Sequence, residues 1–321
     1  MRKIDILVAF LLVAIESVNG EADATNREWN KPVSPFRIAG NLYYVGAIEI
    51  TSYLIATPQG HFLLDGGFVE TAPQIERNIV QLGFKLSDVK YLFNSHAHYD
   101  HAGGLVELKK LTGAKFVASE GDARLLRNGG HGDFRFGDTL PFPPIEPDKI
   151  ILDGESLQLG DQVMTAHLTP GHTRGTTTWT TKIRDGARTF NVVFVGSQSS
   201  LDYKFVGQES YPGIAADFVK SFTVLKNLPC DIFLASHGSF FHFADKHERF
   251  ISGDTNAFVD PDGYNRYLSE SEKDFRQKFD QQRRQESVLG SQGRRENEQI
   301  RLAVRRPHLD AREQHLPNAQ S

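Results

Sequence analysis

The stretch Tyr91–Gly104 places four side chains that can bind a metal within six residues: His96, His98, Asp100 and His101. The apolar run before them predicts a buried strand that ends at Asn94. Side chains alternate in direction along an extended chain, so His96 and His98 point to the same side. Imidazole nitrogens and carboxylate oxygens bind zinc at about 2.0–2.2 Å. The pattern therefore predicts a metal site, the simpler alternative being a histidine-rich surface loop.

Two later histidines occupy similar positions. His172 follows a predicted strand that ends near Leu168, and His237 follows one that ends at Ala235. Ligands collect in the crevice at such strand ends. The six side chains can form two sites, one from His96, His98 and His172 and the other from Asp100, His101 and His237. Two zinc ions about 3.5–4 Å apart would share a hydroxide, since bound zinc lowers the pKa of water to about 7.

The other titratable residues have structural roles as alternatives to functional ones. Asp65 stands at a predicted strand end before two glycines, where it either orients a ligand imidazole from behind or caps its turn. The only cysteine, Cys230, precedes an apolar run and is expected to be a small buried residue rather than a nucleophile. His167, on the strand before His172, is expected to be a core residue or to support a ligand from behind. Surface or packing roles are expected for the remaining histidines of the folded region, which are His61, His131, His242 and His247.

The composition is that of an ordinary soluble globular protein, with 321 residues, 39% hydrophobic residues and a net charge of −4. Because there is no basic excess, nucleic-acid binding is not expected. Residues 1–20 have Arg2 and Lys3 before the apolar run Ile6–Ile15 and small residues near Gly20, a pattern typical of a secretory signal peptide. That run is too short to span a bilayer, so the sequence predicts an exported protein without a stable membrane anchor.

Residues 21–286 are predicted to form one catalytic domain in which strand and helix patterns occur in two similar rounds. The first round is the hairpin Thr51–Ala56 and His61–Leu64, a helix through Ile75 and Ile79, the strand into the histidine cluster, a helix through Leu105 and Leu108, and the strand Lys115–Ala118. The second round is Ile150–Leu152, Ser156–Leu159, Gln162–Leu168, the hairpin Thr176–Ile183 and Thr189–Val195, a helix through Phe218 and Phe222, and the strand Asp231–Ala235. This order predicts an α/β fold, a four-layer α/β/β/α sandwich with two mixed sheets.

Two segments lack the pattern of a packed element. Glu120–Lys149 is rich in Gly, Pro, Arg and Phe and is predicted to be a functional or mobile loop. Its Phe134, Phe136 and Leu140 either grip the apolar part of a substrate or plug the loop onto the core. Residues 287–321, which include His308 and His315, have few large apolar side chains and are predicted to be a disordered polar tail.

The motifs His96-Ala-His98-Tyr-Asp100-His101, Pro-Gly-His172-Thr and Ser-His237-Gly resemble those of the metallo-β-lactamase superfamily. The resemblance covers most of residues 30–260, including Leu-Leu-Asp65-Gly-Gly, and implies the four-layer sandwich. It does not set the substrate, because β-lactamases, glyoxalase II thioesterases, lactonases and oxidoreductases share this scaffold. The thioesterase and lactonase branches have a metal-bridging aspartate before the last ligand, where this chain has Gly196-Ser197-Gln198-Ser199.

The complete ligand set is most similar to the third subclass of class B β-lactamases, since one other subclass has a cysteine ligand and another an asparagine. The resemblance implies two Zn²⁺ per subunit, a small-molecule β-lactam substrate, and a shared hydroxide, oriented by Asp100, that attacks the lactam carbonyl. It implies substrate contacts from Ser199, Ser200, Gln198, Phe136 and Leu140, with Gln198 standing where the family has serine or methionine. The signal peptide suits a periplasmic antibiotic hydrolase.

Two other functions are open at this point. One is a metal-dependent lactonase or thioester hydrolase on the same fold, which the missing bridging carboxylate argues against. The other is a zinc-binding module without catalysis, which the open coordination positions argue against. The sequence does not set the preference among β-lactams or the oligomeric state.

Overall fold

The computed structural model describes residues 24–305, so the predicted signal peptide and residues 306–321 lie outside it. The first sheet has seven strands in chain order. They are β1 (Phe36–Ala39), β2 (Leu42–Tyr44), β3 (Tyr53–Thr57), β4 (Gly60–Leu64), β5 (Val89–Phe93), β6 (Lys115–Ser119) and β7 (Lys149–Ile151). Neighbours are antiparallel from β1 to β4 and parallel from β4 to β7.

The second sheet has five strands in the order β12-β11-β10-β9-β8. They are β8 (Ser156–Leu159), β9 (Gln162–Leu168), β10 (Thr177–Asp185), β11 (Arg188–Val195) and β12 (Ile232–Ala235). Strands β11 and β12 are parallel, and the other pairs are antiparallel. Both sheets are therefore mixed, as predicted.

Helices form the two outer layers. They are α1 (24–29), α2 (Ala72–Gln81), α3 (Tyr99–Ala102), α4 (Leu105–Thr112), α5 (Glu120–Arg127), α6 (Ile214–Lys226), α7 (Phe243–Ile251) and α8 (Pro261–Arg305). Helices α2 and α4 pack on the first sheet, and α6 and α8 meet on the side of the second. The predicted α/β/β/α sandwich is confirmed. Among the described helices, none combines the length and apolar character needed to cross a bilayer.

The strands of the first sheet are apolar on both faces because each face is covered. In β5, Leu92 packs toward α2 and α4, whereas its neighbour Phe93 packs toward the second sheet. In β4, Leu63 and Leu64 divide in the same way. Side chains alternate between the two faces of a strand, so a sheet that is covered on both faces needs apolar residues at successive positions.

Trp179 of β10 joins the two sheets beside the predicted metal site. Its buried ring stacks on Phe93 with centroids 4.2 Å apart. Its Nε1 donates a hydrogen bond to the Asn94 carbonyl at 3.1 Å. Trp179 therefore anchors the end of β5 at the point where the histidine cluster begins.

The structure differs from the sequence prediction at three places. The strand predicted at Ile150–Leu152 pairs with β6, so it ends the first sheet instead of opening the second round. Glu120–Lys149 begins with helix α5, because Ala123 and Leu126 form a buried helical face. Helix α8 continues from residue 287 through Arg305, where a disordered tail is predicted. The Glu, Gln and Arg residues of that part have high helix propensity even without a core to bury.

Replacing Trp179 by phenylalanine is expected to lower the free energy of unfolding by about 2–4 kcal/mol, because the Asn94 carbonyl loses its donor and a cavity opens. Urea denaturation of the purified protein measures this change. The matched control is Ile183→Val on the same strand, also fully buried, which should cost about 0.5–1.5 kcal/mol. A loss for Trp179→Phe no larger than that of the control would contradict the anchoring role.

Candidate metal centre

The first four candidate ligands lie on the chain that leaves β5. His96 and His98 are in the loop before α3, and Asp100 and His101 are in α3 itself. The turn after α3 needs glycine, since a Cβ at Gly104 would lie 2.2 Å from the carbonyl oxygen of Gly66. The close approach of these two backbones packs α3 against the loop that follows β4.

His172 joins this group from the loop between β9 and β10. The ligand atoms of His96, His98 and His172 all lie within 4.8 Å of one another, and all three residues are buried. The ring centroids of these histidines are 4.7–4.9 Å apart. Three imidazoles that converge in this way match the predicted three-histidine site.

His237 joins Asp100 and His101 from the end of β12. The Nε2 atoms of His101 and His237 are 3.1 Å apart. The Oδ2 atom of Asp100 lies 3.3 Å from the first and 3.5 Å from the second. The rings of His96 and His101 have centroids 4.2 Å apart, so the two groups adjoin.

The protonation of these groups suits a pair of cations. Burial and the neighbouring imidazoles hold the pKa of His96 and that of His172 well below the ordinary value. Burial would raise the pKa of Asp100, but His101 and His237 outweigh it and hold that pKa below its ordinary value. Neutral imidazoles and an ionised carboxylate are the forms that bind zinc.

Three buried ring nitrogens of the candidate ligands have no hydrogen-bond partner within residues 24–305, namely His96 Nε2, His98 Nε2 and His101 Nδ1. An unsatisfied buried polar atom costs about 1–3 kcal/mol, which a cation accepting its lone pair would remove. The residues present therefore fit two zinc ions, one in each group of three.

The second ring nitrogen of four ligands faces a protein oxygen. His96 Nδ1 lies 3.1 Å from Ser95 Oγ, and His172 Nδ1 donates to the Ser199 carbonyl at 2.9 Å. The Nδ1 atom of His237 lies 3.4 Å from Glu49 Oε1. His101 Nδ1 lies 3.7 Å from Asp65 Oδ2. The hydrogen bonds at His96 and His172 hold those two rings and direct their Nε2 atoms into the site.

Asp65 lies behind the candidate ligands, at the turn that follows β4. Its Oδ1 accepts hydrogen bonds from the Ser95 N–H at 2.6 Å and the Asn94 side-chain amide at 3.3 Å, while Oδ2 faces His101. Burial raises its pKa. Its φ of 63° is the left-handed conformation that turns the chain sharply after β4. Asp65 thus holds the loop before His96 by hydrogen bonds and faces the ring of His101.

Asp122 of α5 is a supporting residue that the sequence did not single out. Its carboxylate accepts hydrogen bonds from the Ala97 N–H, the Thr173 hydroxyl and the Gly175 N–H, each at 2.9 Å. It thereby ties the loop of His96 to the loop of His172. Burial raises the pKa of Asp122 to about 6. Recognising α5 in the sequence would have placed this carboxylate beside the ligands.

Glu49 is a second supporting residue that the sequence did not single out. Besides facing His237, its carboxylate accepts hydrogen bonds from the Ser239 hydroxyl at 2.5 Å and the Ser239 N–H at 2.9 Å. It lies in a short segment before β3 that has no strand or helix period in the sequence. Only the folded chain brings it against β12.

The three residues after Ser197, which are predicted to contact the substrate, have different partners in the structure. The Ser200 hydroxyl is buried and donates to Asp274 of α8 at 2.6 Å, so the structure uses Ser200 to hold that helix. Ser199 is half-buried and gives its carbonyl to His172. Gln198 is buried and donates its backbone N–H to Tyr267 at 3.0 Å. Gln198 and Ser199 also line a cavity of about 330 Å³ against α8.

The aromatic residues of the Gly- and Phe-rich segment divide between the two predicted roles. Phe136 places its ring edge-on to His98, with centroids 5.0 Å apart. Phe134 plugs the segment onto the core through the rings of Tyr203 and Tyr211. Leu140 is half-buried, and its carbonyl packs back toward Gly130 of the same segment.

The other described histidines lie outside the two ligand groups. His167 approaches Thr180 Oγ1 at 2.8 Å, His131 is exposed beside Asp138, and His247 stacks on Phe243. His61 packs against Phe84, and His242 is exposed. His308 and His315 lie outside the described residues.

Solved structures of similar sequence share this fold. The FEZ-1 metallo-β-lactamase from Legionella gormanii is 42% identical, with a TM-score of 0.77 over 79% of this chain and 98% of that one. The subclass B3 metallo-β-lactamase BJP-1 of Bradyrhizobium japonicum is 35% identical, with a TM-score of 0.75 over 80% of this chain and 97% of that one. The class B3 di-zinc metallo-β-lactamase LRA-12 from an Alaskan soil metagenome is 39% identical, with a TM-score of 0.75 over 78% and 96%.

Curated relatives match over a shorter stretch. A hydroxyacylglutathione hydrolase of Rhodospirillum rubrum is 31% identical over 87 residues, which is 27% of this chain and 27% of that protein. The chain therefore spans about a quarter of the length of this curated relative. The family model of the metallo-beta-lactamase superfamily matches residues 45–237. Because this match includes all six ligand side chains, from His96 to His237, the chain belongs to the metallo-β-lactamase superfamily.

Proposed function

We propose that this protein hydrolyses the amide bond of β-lactam antibiotics, penicillins, cephalosporins and carbapenems among them, with two zinc ions per subunit. The observation that carries the proposal is the pair of adjoining ligand groups, with the rings of His96 and His101 4.2 Å apart. The solved structures of β-lactamases, to which this chain is similar over nearly their whole length, support it. Because the substrate would be an antibiotic, its hydrolysis would give antibiotic resistance.

The chemistry divides between the metals and the protein. Zinc bound in the two groups would supply a hydroxide at neutral pH and polarise the lactam carbonyl. Asp100 contributes an ionised carboxylate that would orient the nucleophile. Ser95 and the Ser199 carbonyl hold the rings of His96 and His172, while Glu49 and Asp65 face the rings of His237 and His101. Burial of the ligands keeps the site in a low dielectric, which strengthens every electrostatic interaction with the reacting carbonyl.

A cysteine nucleophile is not part of the proposal. Burial raises the pKa of the Cys230 thiol to about 12, so the thiol is protonated at neutral pH. Cys230 also precedes β12, at the opposite end of that strand from His237.

Aromatic side chains border both ligand groups. Phe136 stands against His98, while Trp29 and Phe240 stand against His237 with ring centroids 5.5 and 4.9 Å away. These rings give a fused bicyclic substrate apolar surfaces on either side of its reacting bond. With Ser200 held by α8, we assign the substrate carboxylate to Ser199 and Gln198.

The thioesterase or lactonase alternative is not favoured. The glyoxalase II-type relatives match only about a quarter of the chain. At the position of their bridging aspartate, Ser197 is buried, and its hydroxyl accepts a hydrogen bond from the Ser199 N–H at 3.2 Å. A serine hydroxyl so engaged does not replace a carboxylate between two cations.

We also propose that the mature protein is exported to the periplasm. The support is the basic and apolar pattern of residues 1–20. A periplasmic location would place the enzyme between an entering β-lactam and its cell-wall targets.

Purified protein is expected to hydrolyse a penicillin and a carbapenem, to lose this activity with a strong chelator, and to regain it when zinc is returned. Absorbance of the lactam chromophore measures the rate, and elemental analysis should find two zinc ions per chain. A glutathione thioester serves as the comparison substrate. Rapid thioester turnover without β-lactam cleavage would contradict the proposal.

The variants Asp100→Ala and His237→Ala are each expected to bind about one zinc ion per chain instead of two. Their kcat should fall by more than about 100-fold, beyond the 10–100-fold typical of residues that only support a ligand. The matched control is His167→Ala, a half-buried histidine bonded to Thr180 outside both groups, which should keep both zinc ions. Two zinc ions and wild-type rates in either ligand variant would refute the assignment.

A further inference from the structure

Asp133 lies in the Gly- and Phe-rich segment, on a tight turn closed by its own backbone. The Asp133 N–H donates to the Gly137 carbonyl at 3.2 Å, and the Gly137 N–H donates back to the Asp133 carbonyl at 2.9 Å. Inside the turn, Asp133 Oδ1 accepts hydrogen bonds from the N–H groups of Arg135 and Phe136 at 2.6 and 2.7 Å. One carboxylate oxygen therefore holds the turn together.

The other carboxylate oxygen faces a metal ligand. Asp133 Oδ2 lies 3.6 Å from His98 Nε2. Both atoms are buried, and neither has a hydrogen-bond partner within residues 24–305. Asp133 itself is only 7% exposed, so water does not readily replace such a partner. Two buried, complementary atoms that face each other in this way need only a small approach to form a hydrogen bond.

His98 differs from the other ligands in the nitrogen that the protein engages. For His96 and His172 the protein partner is on Nδ1, which leaves Nε2 for a metal. For His98 the carboxylate is on the Nε2 side. An imidazole that donates Nε2–H to a carboxylate keeps its lone pair on Nδ1.

We infer that Asp133 is a positioning residue for the first metal group. Its carboxylate accepts the Nε2–H of His98 and thereby fixes Nδ1 as the ligating nitrogen of His98. The same turn carries Phe136, whose ring stands against His98. The turn therefore couples the shape of the substrate-facing segment to the geometry of the three-histidine group. The activity expected of this coupling rests on the proposed function, but its effect on metal binding does not.

The test is Asp133→Asn in the full mature protein. The asparagine oxygen keeps the hydrogen bonds to Arg135 and Phe136, while its NH₂ group now meets the Nε2–H of His98 as donor against donor. The affinity for one of the two zinc ions is expected to fall about 10–100-fold, measured by competition with a chromophoric chelator. The visible spectrum of the cobalt-substituted protein should change as well, with the urea midpoint of unfolding nearly unchanged.

The matched control is Asp138→Asn, the other carboxylate of the same turn. Asp138 is exposed, accepts a hydrogen bond from the Gly132 N–H at 2.9 Å and lies 3.4 Å from His131 Nδ1. This variant should keep wild-type zinc affinity and cobalt spectrum. Wild-type values for Asp133→Asn as well would overturn the inference.

A second measurement needs no variant. Nitrogen-15 NMR of the zinc-loaded wild-type protein should show the proton of His98 on Nε2 and the metal on Nδ1. A proton on Nδ1 would overturn the inference even if Asp133→Asn failed to fold. Neither measurement uses a substrate, so failure of the inference is distinguishable from failure of the proposed β-lactam hydrolysis.

Discussion

The constraint on which this structure depends is the packing of five imidazoles and one carboxylate against one another, with all but His237 buried. At the 3.1 Å contact between His101 and His237, two nitrogens with no proton between them would repel, and a cation bound by both lone pairs would remove that repulsion. Burial and the neighbouring imidazoles lower the pKa of His96 and of His172, whereas His101 and His237 lower the pKa of Asp100 despite its burial, so two imidazoles are neutral and the carboxylate is ionised. Free energy lost by desolvating these groups is therefore recovered by metal binding, which links stability to metal occupancy.

The scaffold meets this constraint by bringing several strand ends to one edge. Parallel pairing of β4 with β5 and of β11 with β12 sets the directions, and the loops after β5, β9 and β12 deliver the ligands. Carboxylates behind the rings then hold these loops, with Asp122 bonding to two of them and Asp65 to one. Losing Asp122 would disturb ligands on separate segments, because it anchors both loops.

Helix α8 and the Gly- and Phe-rich segment both lie beside the loops of the centre. Asp274 of α8 accepts a hydrogen bond from the Ser200 hydroxyl, and Lys278 lies 3.1 Å from the same hydroxyl oxygen. This contact binds the loop after β11 to the helix. In the Gly- and Phe-rich segment, Asp133 Oδ2 lies 3.6 Å from His98 Nε2. Both contacts join residues that are far apart in the chain.

The sequence by itself determined the fold class and both mixed sheets and predicted the six candidate ligand residues, because strand and helix periods and closely spaced histidines are local patterns. It also indicated Asp65, which directly follows a strand. Tertiary structure alone decided that β7 belongs to the first sheet, that Ser200 serves α8, and that Glu49, Asp122 and Asp133 stand behind the ligands. Their partners are distant in sequence, as Asp122 is from Thr173. A carboxylate acquires such a role only when folding brings a hydrogen-bond donor to it, and no local sequence pattern predicts that contact.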